Sequence, residues 1–279
     1  MDRLLLVDGS NLLFQMFFGM PARIVNSEGK AIQGTLGFVG ALLKMIRMVK
    51  PHYAAVFFDG EHENPRTVLD EAYKANRAED ERLEVDSPFS QLPDICRALS
   101  YMGLKHAETV DCETDDWMAG YTRRFSGETE IVIASMDSDF FQLIAPHVRI
   151  LRYRGKNSVL CDECHIREKL GIEPRQYADF KALTGDTADN IPGVPRVGPK
   201  TAARLLGEFG TLEGILANVE GIAKLSVRRS IAENIDRLRL NDRLIRLEGA
   251  KALPFSLGEL RWTDTGETTV QILRAIGVY

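Results

Sequence analysis

Three short apolar runs, each followed closely by an acidic residue, constrain this chain more than any other feature. Leu4 to Val7 runs into Asp8, Ala54 to Phe58 into Asp59, and Ile131 to Ala134, with Ser135, into Asp137 and Asp139. Continuous runs of this length read as strands buried on both faces, the pattern of a parallel sheet. Between them lie stretches with helical spacing. Gly34 to Val49 places Leu36, Val39, Leu43 and Ile46 on one face, and Ser90 to Met102 and Thr114 to Phe125 are two more. Strands alternating with helices predict a doubly wound α/β core. A further strand is expected at Arg149 to Tyr153.

In open α/β sheets, ligands bind beyond the carboxyl ends of the strands, near the point where strand order reverses. Asp8, Asp59, Asp137 and Asp139 are therefore expected to converge although they are distant in sequence. Glu113-Thr114-Asp115-Asp116 opens the predicted helix at Thr114. Acids in a first helical turn commonly serve only as dipole and capping partners, and Asp8 before Gly9 by itself would read as a turn former. As a set they need another account. Two carboxylates a few ångströms apart repel by about 4 kcal/mol at an effective dielectric of 20. Bound cations make such a cluster tolerable, and hard oxygen donors select Mg²⁺ or Mn²⁺.

From about Ile172 the β-branched runs give way to helical segments separated by Gly and Pro: Pro174 to Thr184, Pro199 to Phe209, Thr211 to Val219 and Val227 to Leu247. The expected organisation is an α/β core over 1–171 and a helical subdomain over 172–279, without repeats or low-complexity linkers. A second acid pair, Asp186 and Asp189, is spaced to share one face if its segment is helical. It leads into Ile191-Pro192-Gly193-Val194-Pro195-Arg196-Val197-Gly198-Pro199-Lys200-Thr201-Ala202. Gly193 and Gly198 permit a tight turn, and the amides ahead of a helix starting near Pro199 can hold a phosphate. Residues 185–205 thus read as the hairpin of a helix–hairpin–helix, a sequence-independent grip on a DNA backbone. A Walker A loop is the competing reading, since Gly193, Gly198, Lys200 and Thr201 are suitably placed. Pro199 intervenes between Gly198 and Lys200 and no strand precedes the glycines, so the ATP reading is rejected.

The 279 residues, 44% hydrophobic and 27% charged, suit one large α/β domain or a core with a smaller appended domain. The net charge of −5 is not that of a typical nucleic-acid binder. A nuclease, however, needs acid at its metal site and base along its DNA path, so distribution matters more than the sum. Asp8 interrupts the first apolar run too early for a signal peptide, and no run approaches the ~18 apolar residues of a membrane span. A cytoplasmic protein with no membrane partner is expected. Cys161-Asp162-Glu163-Cys164-His165 matches a haem-attachment pattern. It also sits where Asp162 can cap a helix, and Cys96 and Cys112 supply no paired zinc spacing; the helix start is the preferred reading. The closing segment, Glu267 to Tyr279, is expected to hold a terminal helix, which favours a complete protein.

Several segments together resemble the 5′ nuclease (flap endonuclease) family, as found at the front of bacterial DNA polymerase I and in stand-alone relatives. They are Val7-Asp8-Gly9-Ser10, Phe57-Phe58-Asp59, Tyr73-Lys74-Ala75-Asn76-Arg77, Glu113-Thr114-Asp115-Asp116, Asp137-Ser138-Asp139 and Gly185 to Ala202, in family order over nearly the whole chain. The resemblance implies a parallel-sheet, PIN-like or Rossmann-like nuclease core carrying a helical arch at about 62–90, with a helix–three-turn–helix in the subdomain. It places Asp59, Glu113 and Asp115 as ligands of a first metal with Asp8 close by. Asp137, Asp139 and Asp189 would hold a second, supported by Asp116 and Asp186, with Asp115 able to serve both. Two Mg²⁺ or Mn²⁺ ions roughly 4 Å apart would activate a water and stabilise the leaving 3′ oxygen, giving a 5′-phosphate and a 3′-hydroxyl. A K⁺ at the hairpin is also implied.

At about 100° per residue, Arg66, Tyr73 and Arg77 fall on one helical stripe with Lys74 beside it. Alone this would be a solvated basic face. Within the resemblance it is the gateway helix under the arch: Lys74 and Arg77 act on charge at the scissile phosphate, Tyr73 stacks on a base and Arg66 contacts DNA. Arg196, Lys200, Thr201 and Arg204, with Gly193 and Gly198, would hold the duplex backbone, so binding should weaken with salt. The implied substrate is DNA with 5′ flaps or 5′ single-stranded ends, extending to RNA–DNA hybrids, handled by a monomer. Gln15 stands where relatives carry an Arg, Ser138 where a lysine is frequent, and Ala78-Glu79-Asp80-Glu81-Arg82 where a proline-containing segment is usual. The alternatives are a PIN-type ribonuclease, which usually lacks the hairpin subdomain, and a non-catalytic DNA-structure binding module. A phosphatase using Asp137 and Asp139 lacks the usual Thr or Val that would follow them.

Overall fold

Alternate residues of the first strand enter different cores: Leu4 and Leu6 pack into one hydrophobic cluster, Leu5 and Val7 into the other. A strand with apolar side chains on both faces can lie only in the middle of a layered structure. The computed structural model describes residues 1–20, 22–62, 64–76 and 87–279, and places this strand, β1 (Asp2–Asp8), at the centre of a six-stranded sheet. After it come α1 (Gly9–Gly19), α2 (Gln33–Val49), β2 (Tyr53–Phe58), α3 (Pro65–Leu69), α4 (Leu92–Tyr101), β3 (Lys105–Glu108), α5 (Thr114–Phe125), β4 (Thr129–Ala134) and β5 (Val148–Arg152). The core half closes with β6 (Val159–Cys161) and α6 (Glu163–Leu170).

The sheet order is β3-β2-β1-β4-β5-β6, parallel from β3 to β5, with β6 antiparallel at the edge. The chain moves outward from β1 to β3, then returns to β1's other side at β4, so the reversal of strand order falls between β1 and β4. One face carries α1, α2 and α4, with Phe38, Leu42, Ile95 and Leu99 buried. The other carries α5, with Met118 and Tyr121 buried against Leu4, Leu6 and Phe57. α2 ends where Lys50 turns left-handed at φ 51°. α6 begins with Asp162 accepting from the His165 amide at 2.9 Å and ends at Gly171, so the cysteine-containing stretch is a capped helix start.

The helical part contains α7 (Tyr177–Thr184), a two-stranded ladder of β7 (Gly185–Asp186) and β8 (Ile191–Pro192), α8 (Pro199–Phe209), α9 (Leu212–Ala217), α10 (Leu225–Ala232) and α11 (Ile235–Ile245). The helix expected over Val227 to Leu247 is broken: Asn234 leaves helical geometry at φ −124°, ψ 22°, and its side-chain amide donates to the Ser230 carbonyl. The last helix, α12 (Thr269–Ala275), falls within the segment expected to hold one, but it does not join the helical bundle. Its Ile272 and Leu273 are buried in the α1/α2/α4 face, and the Trp262 indole donates to the Met102 carbonyl at 2.8 Å. The tail of the 172–279 half therefore packs on the α/β core. Among the described residues no helix is long and apolar enough to cross a membrane.

Candidate metal and nucleic-acid site

The acids at the strand ends meet because the turns that carry them are pressed together. At Gly9 a Cβ would lie 2.5 Å from the Phe58 ring and 2.7 Å from the Phe57 carbonyl oxygen, so only glycine lets α1 start against the end of β2. Asp8 caps α1 by accepting from the Asn11 amide at 2.9 Å, while its other oxygen accepts from the Ser135 hydroxyl at 2.8 Å. Ser135 in turn accepts from the Asp137 amide at 2.9 Å, and Asp137 accepts from the Asp139 amide at 2.8 Å. Asp59 donates its amide to Ser10 and accepts from the Thr114 amide, both at 2.9 Å, which ties β2 to the start of α5. Asp8, Asp59, Glu113, Asp115 and Asp137 line one cleft of ≈ 810 Å³, together with Lys74.

Crowding shows in their protonation. Burial, and then the charge of Asp59, pushes Asp8 up to about 7. Burial, Asp137 and Glu113 hold Asp115 well above the usual carboxylate range. Burial and Asp137 push Asp139 up to about 7. Glu113 goes the other way: burial opposes its charge, but Lys74 and Arg66 outweigh it and hold the carboxyl below its usual range.

A second group begins at Asp139, two residues beyond Asp137. One carboxylate oxygen from each of Asp139, Asp186 and Asp189 falls within 4.8 Å of the others. The expected shared helical face is not what unites Asp186 and Asp189: residues 187–190 form a turn between β7 and β8. The ladder requires Gly193, where a Cβ would sit 2.2 Å from the Thr184 carbonyl oxygen. Lys181 from α7 contacts Asp186 and lies 3.7 Å from Asp139 Oδ1, a buried oxygen with no hydrogen-bond partner among the described residues. Converging hard oxygens, carboxyls resisting ionisation and an unsatisfied buried oxygen are the donor set and charge state that divalent cations fit.

The basic stripe differs from expectation. α3 stops at Leu69, Asp70 is extended (φ −151°), and Lys74 is left-handed at φ 57°, so Arg66, Tyr73 and Lys74 do not share a helix. Arg66, expected to contact DNA, is placed as a buried counter-ion: its guanidinium reaches Glu113 at 2.5 Å and both oxygens of Asp116 at 2.9 Å, and its Nε donates to the Leu244 carbonyl. Asp116 is thereby committed to Arg66 and does not line the cleft with the other acids. Tyr73 is buried in the core, with its hydroxyl donating to Glu113 at 3.2 Å, so it presents no face to a base. Lys74 reaches the cleft and pairs with Glu113. Arg77 and the 78–82 segment lie outside the described residues. Gln15, in place of the family's Arg, donates to the Tyr153 carbonyl at 2.7 Å.

Sequence reasoning missed Ser135, Ser10 and Lys181, all ordinary residue types whose partners are distant in the chain or hidden until the turns close. In the hairpin, Arg196, Gly198, Lys200 and Arg204 are exposed. Arg196 is left-handed at φ 68°. Gly198 caps α8 in extended geometry, and a Cβ placed there would have nothing within 4 Å, so its surface is open to approach.

The described residues thus combine a switch-point acid cluster on an α/β sheet with a helical part that carries an exposed basic hairpin. The chain belongs to the 5′–3′ exonuclease family: residues 3–171 match its N-terminal resolvase-like domain and residues 172–268 its C-terminal SAM fold. It is 35% identical to DNA polymerase I of Rhizobium leguminosarum over 267 residues (93% of this chain, 26% of that protein) and 35% identical to thermostable DNA polymerase I of Thermus thermophilus over 265 residues (94% and 31%). It thus spans about a quarter to a third of those curated relatives. The bacteriophage T5 5′-exonuclease with bound zinc superposes with TM-score 0.70 at 22% identity, over 88% of this chain and 89% of that one. The catalytic core of Rad2 with DNA substrate gives 0.60 at 17%, over 99% and 92%. These structural likenesses establish the shared fold.

Proposed function

We propose that the chain is a divalent-metal-dependent 5′ nuclease. It hydrolyses DNA phosphodiesters at 5′ single-stranded ends and 5′ flaps, and accepts RNA–DNA hybrids. The observation that carries this reading is the gathering of Asp8, Asp59, Glu113, Asp115 and Asp137 in one cleft, with the Asp139–Asp186–Asp189 group joined to it through the Asp137–Asp139 turn, in a chain that also carries an exposed basic hairpin. Asp8, Asp59, Glu113 and Asp115 would hold a first Mg²⁺ or Mn²⁺, and Asp137, Asp139, Asp186 and Asp189 a second. When bound, such ions supply an activated water and charge stabilisation at the leaving oxygen.

The chain's own residues do the rest. Ser135 and Ser10 orient the strand-end acids, and Lys74 and Arg66 keep Glu113 ionised. Lys74, with Arg77, acts on charge at the scissile phosphate. Arg196, Lys200 and Arg204, with the amides around Thr201, hold the duplex backbone, where Gly198 allows close approach, Gly193 closes the turn beneath it and a K⁺ can bind. The T5 flap endonuclease has been captured in a pseudo-enzyme–product complex with DNA and metal ions, which supports this assignment. The protein is proposed to act as a cytoplasmic monomer. The hairpin half favours this reading over a PIN-type ribonuclease.

The test is single-turnover cleavage of a 5′-flapped DNA duplex in Mg²⁺ or Mn²⁺, with EDTA and single-stranded RNA controls. Metal-dependent cuts near the flap junction leaving a 5′-phosphate are expected. Asp115→Ala should abolish turnover while DNA binding in Ca²⁺ survives. Cleavage in EDTA, or of RNA alone, overturns the proposal. Binding of flapped DNA by the wild type without metal-dependent cleavage would favour the non-catalytic module.

A further inference from the structure

We infer that Lys181 is a built-in stand-in for the second cation: its ammonium offsets part of the charge of the Asp139–Asp186–Asp189 group when no divalent ion is bound and is displaced when one binds, so the lysine sets that group's metal affinity. This rests on the nuclease reading above.

α7 delivers Lys181 five residues ahead of Asp186, and the β7–β8 turn folds Asp189 back beside it. The ammonium contacts Asp186 and stands 3.7 Å from Asp139 Oδ1, with the side chain only 14% exposed. Three carboxylates so close together would repel in the absence of a counter-charge, and the turn that gathers them would open. Lys181 lets the hairpin fold before any metal arrives.

It does so incompletely. Asp139 Oδ1 remains buried without a hydrogen bond, because the ammonium stands 3.7 Å away, beyond hydrogen-bond reach, and its single charge offsets only one of the three carboxylates. A divalent ion accepts all of them at short range. The flexible four-carbon stem can then swing the displaced ammonium away without moving α7. The lysine thus stabilises the metal-free fold and weakens the metal site through the same contact.

The experiment compares wild type with Lys181→Met, which keeps the stem and removes the charge, by Mn²⁺ titration calorimetry and by thermal unfolding in EDTA and in saturating Mn²⁺. The variant should melt lower in EDTA, gain more from Mn²⁺ than the wild type, and bind Mn²⁺ at the Asp139–Asp186–Asp189 group at least about tenfold more tightly. Unchanged or weaker Mn²⁺ affinity overturns the role of Lys181. If the variant does not fold in EDTA, the wild type still decides: acetylation of Lys181 by acetic anhydride, followed by peptide mass spectrometry, should accelerate when Mn²⁺ is added. A rate that stays level or falls overturns the proposal. Absence of any Mn²⁺ binding to the wild type would instead sink the nuclease reading on which it rests.

Discussion

Arg66 bridges Glu113 and Asp116 in a pocket closed by the Leu244 carbonyl. Removing one member of such a buried set strands the others, at a cost of about 3–5 kcal/mol. Arg66→Met should therefore lose stability of that order in urea unfolding at pH 7, while the folded variant keeps its DNA affinity; a change under about 0.5 kcal/mol would mean the guanidinium is not the counter-ion described. Asp8 titrates in a way that can be read from stability. Its folded value of about 7 lies above the ordinary 3.8, so the native state favours the protonated form. Its contribution is fully present at low pH and is lost as pH rises through about 7. In EDTA, Asp8→Asn should gain stability relative to wild type as pH rises from about 4 to about 7, read as the difference between their melting temperatures. A pH-independent difference would contradict the burial assigned to Asp8. These roles were poorly legible in sequence: Arg66 and Glu113 are 47 positions apart, and a basic residue after a strand acid looks like a substrate contact until its partners are known.

At the scale of elements, legibility followed burial. β1, β2 and β4 stood out because both faces are covered, and α8 because Gly198 and Pro199 mark its start. β3 did not, since an edge strand reading Lys105-His106-Ala107-Glu108 has no apolar run. The stripe through Arg66, Tyr73 and Arg77, with Lys74 beside it, had helical spacing, but the chain leaves the helix at Asp70 and the periodicity no longer applies to Tyr73 and Lys74. The two hairpin glycines separate by element as well. Gly193→Ala drives a Cβ into the Thr184 carbonyl and should open the β7–β8 ladder, weakening Mn²⁺ binding at the Asp186–Asp189 turn. Gly198→Ala meets nothing within the protein and should leave folding and Mn²⁺ binding unchanged while weakening duplex binding. Equal effects of the two substitutions on Mn²⁺ titrations would refute this division of roles.

Over the whole molecule, the acids come from both halves of the chain, and the Asp139–Asp186–Asp189 group exists only because the halves pack together. The core half brings Asp8, Asp59, Glu113, Asp115, Asp137 and Asp139; α7 and the β7–β8 turn bring Lys181, Asp186 and Asp189. Among the described residues, hydrogen bonds tie the halves at this point: the Lys74 amide to the Asp189 carbonyl at 3.0 Å, Asn190 to the Ala72 carbonyl at 2.8 Å and Asn76 to the Thr187 carbonyl at 3.1 Å. The acids themselves were readable because strand ends and their spacing are local. Their convergence followed from the rule about switch points, whereas the tail's return to the core through Trp262 and α12 had no local signal. Whether these halves form one two-ion nuclease site is decided by anomalous diffraction from crystals grown with Mn²⁺. Two manganese peaks are expected in the cleft, one against Asp8, Asp59, Glu113 and Asp115 and one against Asp137, Asp139, Asp186 and Asp189. A cleft without manganese, with both ions bound elsewhere or absent, would overturn the two-ion site.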